Sequence, residues 1–566
     1  MDEHQAIELK KQYNATLPVS RIPPELVSRI IFLDQPVYDS PMWLTLAWIR
    51  LTHVYQYWRT VALNTPGLWC HIPVYFGGLD IMLEWLRRAK QTPLVVDPWP
   101  EHRSDDVVDA ARVEAYNLAL AELSHIRELE LTLPGPLFPE LRWPDYTADQ
   151  LETLWIYVSS PSAPFEIPTA VKFSNLTALY LSGVHKIWGQ GVLPPSLKKL
   201  QIELIDDPVP PKSCRLEEVL ADLKELPLLE SLELINALPL SDTSYSTSIK
   251  LPKLLILDLE DSNHHTTALL DHISLPSCIH LAIHCCIYET SMNLTDTLVS
   301  VSGRLKQVMM DALKRGQVVR ASCLEFNDRS VEPSLEVSCW TSEVSFDDRD
   351  THEADKPDFY VRFWVEGAQV TLEGMWLEHL DALPRFCDSL PLESTVNLDM
   401  DGWPLYRGPI MIAWFNLLVV KFQKVRRLRI KANPFSDAEL ALPVVLRFVV
   451  PEPGIKHDCT NPKYRQFVAF PAMEELRLTQ FKFRASSVDL QNFCPRPFVE
   501  ALSDCLAGKE AHTTSLIVND CYDVTEQDIE HLRTAGSHSG LNVQWDGIEQ
   551  AAQSQLLAHF TDGIHA

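Results

Sequence analysis

The sequence predicts a mixed α/β protein: a small helical module at the N-terminus, followed by a long array of short strands built on one recurring pattern. Three observations carry this. Residues 17–75 hold apolar positions at helical spacing behind a Pro-Pro pair. From residue 126 onward leucines alternate within short segments, and the segments themselves recur. The 566 residues include 40 Pro but only 19 Gly, where average usage would give roughly 28 and 40. Surplus Pro marks a chain that stops and restarts at many places. Scarce Gly argues against folds that use glycine turns to cradle phosphate.

Residues 1–16 are polar and are expected to form a tail. In the run Leu17-Pro-Val-Ser-Arg-Ile-Pro-Pro-Glu-Leu-Val-Ser-Arg-Ile-Ile-Phe-Leu33, Pro23 and Pro24 suit the first turn of a helix, where no amide donor is needed. Ile22, Leu26, Ile30 and Leu33 then recur at helical spacing. After a linker with Pro36 and Pro41, a second helix is expected over 46–63, with Leu51, Val54, Tyr55, Trp58, Val61 and Ala62 on one stripe. Asn64-Thr-Pro-Gly67 ends it, and Leu68-Trp69 closes a module spanning 17–75. So short a piece has little core of its own and needs a partner to complete it. Residues 76–125 read as a helical linker or cap.

The pattern L-x-x-L-x-L then takes over. It occurs at Ile126/Leu129/Leu131, Leu151/Leu154/Ile156, Leu176/Leu179/Leu181, Leu197/Leu200/Ile202, Leu229/Leu232/Leu234, Leu254/Leu257/Leu259 and Cys278/Leu281/Ile283. The middle anchors step by 21 to 32 residues, close to the roughly 20–29 of a leucine-rich repeat. Pro often precedes each match, as in Leu226-Pro-Leu-Leu229 and Leu251-Pro-Lys-Leu254, where it keeps the preceding segment from running on as helix. The expectation is an irregular leucine-rich-repeat solenoid over 126–550, in which each repeat buries its leucines against its neighbours. The phase blurs over 295–420: 295–316 reads as an amphipathic helix, and strands are placed loosely at 322–326 and 359–364. Matches return at Val425/Leu428/Ile430, Met473/Leu476/Leu478 and Leu516/Val518/Cys521, the last followed by a short helix through Leu532. Residues 551–566 are expected to be a tail.

Residues between the leucines alternate onto one strand face. That face is expected to start aromatic (Trp155, Tyr157, Tyr180), to turn acidic (Glu203, Glu233, Asp258, Glu260) and to end basic (Arg427, Arg429, Lys431, Arg477). The basic end belongs to a run of Lys421, Lys424, Arg426, Arg427, Arg429 and Lys431 without an acid, in a chain of net charge −27. Arg clusters bind phosphate or carboxylate through bidentate bonds. Trp155, Tyr157, Tyr180, Arg427, Arg429, Lys431 and Arg477 are therefore the candidates for holding a target protein, the basic ones an acidic or phosphorylated one.

Several classes of function find no support. A charge of −27 disfavours nucleic acid. No basic-then-apolar leader opens the chain, and the longest apolar stretch, Ile410 to Val420, is too short for a membrane span, so a cytoplasmic or nuclear location is expected. Twelve scattered cysteines without a C-x-x-C pair do not make a disulfide scaffold. No nucleophile elbow, P-loop or zinc-protease motif occurs. His280 and His284 have a helical metal spacing but fall in an expected strand, and Asp399-Met-Asp401 and Ser196-Leu-Lys-Lys199 match catalytic patterns only superficially. Neither a catalytic site, a metal nor a cofactor is expected.

The ordered set Ile22-Pro23-Pro24-Glu25-Leu26, Val54-Tyr-Gln-Tyr-Trp58-Arg59 and Ala62-Leu-Asn-Thr-Pro-Gly-Leu68-Trp69 resembles the F-box, in the form of the large fungal set of F-box-like proteins. The resemblance covers about one tenth of the chain. It implies a module that docks a Skp-family adaptor, and through it a cullin, with Ile22, Pro23, Pro24, Glu25, Leu26, Ile30, Val54 and Trp58 at or just behind the contact. It further implies a non-catalytic substrate-recognition subunit of an SCF-type ubiquitin ligase, whose repeats hold a target protein. The alternative is a leucine-rich-repeat interaction scaffold without ligase duty.

Overall fold

Alternating leucines become strands that lie side by side. In a computed structural model the described residues are 3–33, 47–74, 78–97, 110–158, 171–204, 215–238, 248–288, 322–327, 334–339, 359–366, 395–401, 422–431, 447–450, 465–484, 498–506 and 512–548, apart from a few single positions and pairs within these ranges, together with scattered residues of 301–307. They form a mixed α/β architecture with parallel sheets. The chain divides into two compact units, Met1–Leu240 and Ser241–Ala566.

In the first unit seven strands pair in chain order, all parallel: β1 (His71–Pro73), β2 (Leu94–Asp97), β3 (Ile126–Leu133), β4 (Thr153–Val158), β5 (Ala178–Ser182), β6 (Lys199–Glu203) and β7 (Ser231–Ile235). Register puts Leu129, Leu154, Leu179, Leu200 and Leu232 level, and likewise Leu131, Ile156, Leu181, Ile202 and Leu234. None of these ten is more than 2% exposed. Each contributes about 1.5–3 kcal/mol by burial, so the apolar columns dominate the energetics of the sheet. The sheet starts earlier than the pattern indicates: β1 lies inside the expected helical module and β2 inside the expected helical linker.

The Pro surplus has a structural form. At Pro194-Pro-Ser-Leu197, Leu226-Pro-Leu-Leu229, Leu251-Pro-Lys-Leu254, Leu275-Pro-Ser-Cys278 and Phe470-Pro-Ala-Met473, the fourth residue's amide donates to the first residue's carbonyl at 3.1–3.4 Å. Each is a four-residue turn with Pro second, where its fixed φ suits the turn. The turn's outer residues are buried in the second copy, Leu226 and Leu229 at 1%. A second recurring device follows the strands. Gly183, Asn236, Gln480 and Asp520, each the first residue past a strand, all have φ between 51° and 71°.

The described helices of the first unit are α1 (Glu3–Thr16), α2 (Pro24–Leu33), α3 (Gln56–Leu63), α4 (Leu79–Ala89), α5 (Ala110–Ala121) and α6 (Leu216–Lys224). Residues 3–16 are thus helical where a tail was expected. The helix expected over 46–63 is broken: a 3-10 segment, Ala47–His53, is followed by Tyr55 in extended conformation, which opens α3. β-branched and aromatic residues crowd this stretch and weaken a continuous α-helix, a cost the apolar stripe alone does not reveal.

In the second unit the strands are β8 (Ile249–Lys250), β9 (Ile256–Ser262), β10 (Ile273–Ser274), β11 (His280–Tyr288), β12 (Ser322–Asn327), β13 (Ser334–Cys339), β14 (Phe359–Glu366), β15 (Asn397–Asp401), β16 (Arg427–Lys431), β17 (Arg447–Val450), β18 (Arg465–Val468), β19 (Glu475–Thr479), β20 (Ser515–Asn519) and β21 (Asn542–Trp545). β15, β16, β19, β20 and β21 pair in parallel, with Leu398, Leu428, Leu476, Leu516 and Val543 level. β9 and β11 are also parallel, but β11 next pairs β14, and β13 then runs antiparallel between β14 and β12 before β12 pairs β15. The irregularity expected within 295–420 is therefore an inserted three-strand meander. β8 pairs β10, and β17 pairs β18 antiparallel. The helices here are α7 (Asn263–His272), α8 (Phe498–Leu506) and α9 (Glu526–Gly536). Most of 295–316 and all of 551–566 lie outside the described residues. No described helix is long and apolar enough to cross a membrane.

Candidate functional site

Two surfaces collect the residues singled out from the sequence. The first is α2. Its inward residues, Val27 and Ile31, are fully buried, and the helix packs on α3. Tyr57 of α3 donates its hydroxyl hydrogen to the Ile22 carbonyl at 2.9 Å, fixing the approach to α2. The neighbouring flank is apolar and exposed: Leu26 is 51% exposed, Ile30 38% and Leu33 78%. Pro23, Pro24 and Glu25 are exposed too, Ile22 is half-buried and Trp58 is buried, while Val54 lies outside the described residues. So Leu26 and Ile30 present themselves outward, and Trp58 supports the helices from within. Leu33, absent from the candidates, extends the patch; its place one turn beyond Ile30 was the available signal.

A tryptophan cluster anchors this module. Trp69 packs edge-on against Trp48 at 5.3 Å and Trp85 at 5.0 Å between ring centres. The guanidinium of Arg88 sits 4.4 Å above Trp69, and Glu84 accepts hydrogen bonds from Arg87 and Arg88. Those bonds hold the Glu84 carboxyl down at about 2. The indole N–H of Trp69 donates to the Ala62 carbonyl at 2.9 Å.

The second surface is the strand face of the first unit. Glu130, Trp155, Tyr180, Gln201 and Glu233 form one register row; Thr132, Tyr157, Ser182, Glu203 and Ile235 form the next. Trp155 and Tyr180 stack at 5.1 Å with 9° between ring planes. Both are half-buried, while Tyr157 is 42% exposed. Burial, and then the Glu233 carboxylate, push the Tyr180 phenol above its ordinary value. The structure thus brings the three aromatic candidates together.

It does not make the basic candidates an open cationic patch. Arg429 is buried at 7%, and in register it stands between Asp399 and Arg477. Arg427 is exposed but level with Glu475, and Lys431 is half-buried and level with Asp401. Arg477 is half-buried and lies 3.8 Å from Glu475. Arg426 donates to the Glu474 carboxylate at 2.9 Å. Neighbouring strands supply the acids that the run itself lacks, a balance invisible to a local window. Beside the strand starts an open groove of about 760 Å³ is lined by Lys424, Arg426, Glu474 and His512 among others.

In the second unit, His265 Nδ1 lies 2.7 Å from Asp261 Oδ1 and His284 lies 3.7 Å from Asp258. Burial pushes the thiols of Cys285 and Cys521 up to about 12, so neither is a nucleophile at neutral pH. Among the described residues no group of three or more His, Cys, Asp or Glu is placed to hold a metal ion. No protein-family model matches the chain, and no curated protein matches it either.

Proposed function

We propose that the chain is the substrate-recognition subunit of an SCF-type ubiquitin ligase. Its N-terminal module docks a Skp-family adaptor, and its strand array, read as leucine-rich repeats, holds a target protein. One observation carries this reading: α2 buries Val27 and Ile31 yet turns Leu26, Ile30 and Leu33 to the outside. An amphipathic helix in isolation hides its second apolar side; one that displays it is built for a partner. Of the three exposed residues, Leu26 and Ile30 are among the positions that the F-box resemblance implies for the contact. The chain supplies proximity and no chemistry: a target lysine held beside a charged conjugating enzyme reacts at high effective concentration.

The test is binding of the purified full chain to a purified Skp-family adaptor. The wild type is expected to bind at micromolar concentration or better. Leu26→Asp with Ile30→Asp is expected to weaken binding roughly 30-fold or more, as loss of a buried interface anchor does. Circular dichroism of the variant should match the wild type, because both side chains are outside the core. Absence of wild-type binding ends the ligase reading.

A further inference from the structure

We infer that the strand face of the first unit takes an extended, arginine-bearing segment of the target protein, with a guanidinium laid against the Trp155–Tyr180–Tyr157 aromatics and bonded by the neighbouring glutamates. The inference deepens the receptor reading. It rests on that reading for the role of the bound segment, not for the binding itself.

The aromatic side of the argument is geometric. Trp155 and Tyr180 are already stacked nearly parallel on adjacent strands, and Tyr157 stands beside them with 42% of its surface exposed. Ring faces attract cations through their quadrupole. A stacked, half-buried pair meets the cation at little cost in side-chain entropy, because its rotamers are already fixed by packing.

The electrostatic side is set by register. Glu130 and Glu233 end the row that contains Trp155 and Tyr180, and Glu203 lies in the row of Tyr157. Lys199 is the one cation at the register positions of the three rows that run from Glu128, Glu130 and Thr132 across β4 to β7. Burial first, and then the carboxylate of this same Glu233, raise the Tyr180 phenol, which places Glu233 close to the stack. Charge complementarity therefore asks for a cation, and planar stacking asks for guanidinium over ammonium. The rows cross five strands about 4.8 Å apart, a span of roughly 19 Å that suits about six extended residues.

The experiment uses the full chain without adaptor, titrated calorimetrically at 0.15 M NaCl with the peptide Gly-Arg-Gly-Arg-Gly-Arg-Gly and its lysine and glutamate counterparts. The arginine peptide is expected to bind in the micromolar range, the lysine peptide several-fold more weakly, and the glutamate peptide not at all. Tyr157→Ser is expected to weaken arginine-peptide binding about fivefold, and Glu203→Gln about threefold. Both positions are outside the core, and matched thermal melts verify folding. The proposal is overturned if the wild type does not bind the arginine peptide or if the glutamate peptide binds equally. It is also overturned if both variants bind like the wild type, since the cation would then be answering only the net charge of −27. Loss of adaptor docking leaves these results unaltered, and a negative result here leaves adaptor docking standing, so the two failures are distinguishable.

Discussion

Gly183 has φ of +71° directly after β5, and its amide donates to the Glu203 carbonyl at 2.8 Å. A β-carbon is resisted in that left-handed conformation by about 1–2 kcal/mol. Gly183→Ala is therefore expected to lower stability by about that amount, read as a shift in urea midpoint at constant slope. The same position after other strands is Asn236, Asp520 and Gln480. Gly, Asn and Asp there are readable from sequence as turn formers, whereas Gln480 is not. The buried thiols give a second prediction at this scale. Cys285 and Cys521 rise from the ordinary 9.0 to about 12. Between those values the unfolded chain releases protons that the folded chain retains, so stability falls as pH rises through that window. Neither thiol should react with iodoacetamide at about pH 8 until the chain is denatured; labelling of Cys285 in the native protein would contradict its burial.

At the scale of elements, α9 shows how a helix start is secured. Thr525 Oγ1 accepts from the Asp528 amide, and the Asp528 carboxylate accepts from the Thr525 amide at 2.9 Å. Thr525→Ala is expected to cost about 1 kcal/mol, measured by chemical denaturation. Strands β3 to β7 were legible in the sequence because their cause is local, leucines two apart, whereas β1 and β2 lie in segments whose sequence reads as helical. The break before α3 was not legible, since Trp58, Val61 and Ala62 fit the same stripe whether or not Tyr55 is extended. Nor was the burial of Arg429, whose register neighbours Asp399 and Arg477 lie on strands remote in sequence. Of the target-binding candidates, the aromatic set was legible because Trp155 and Tyr180 occupy the same place in successive pattern matches. The acids level with the basic set come from strands remote in sequence, which no local window displays.

For the molecule as a whole, −27 of net charge sets the response to salt. Such an excess strains any compact state by self-repulsion, and screening relieves it. The Debye length falls from over 10 Å to about 4 Å between 0.05 and 0.5 M NaCl. The melting temperature is expected to rise by a few degrees over that range; a fall would mean that ion pairs such as Arg426–Glu474 outweigh the repulsion. The inserted meander has a consequence of another kind, in the order of synthesis. In the first unit each new strand leaves the ribosome next to the one it pairs with, so the sheet can grow as the chain appears. β11 cannot be completed this way. It must wait while β12 and β13 emerge, because its partner on the side away from β9 is β14, which begins only at Phe359. Throughout that interval β11 offers an unpaired edge to any neighbouring nascent chain, which makes the stretch from His280 to Glu366 the point in biosynthesis where a chaperone has most to protect.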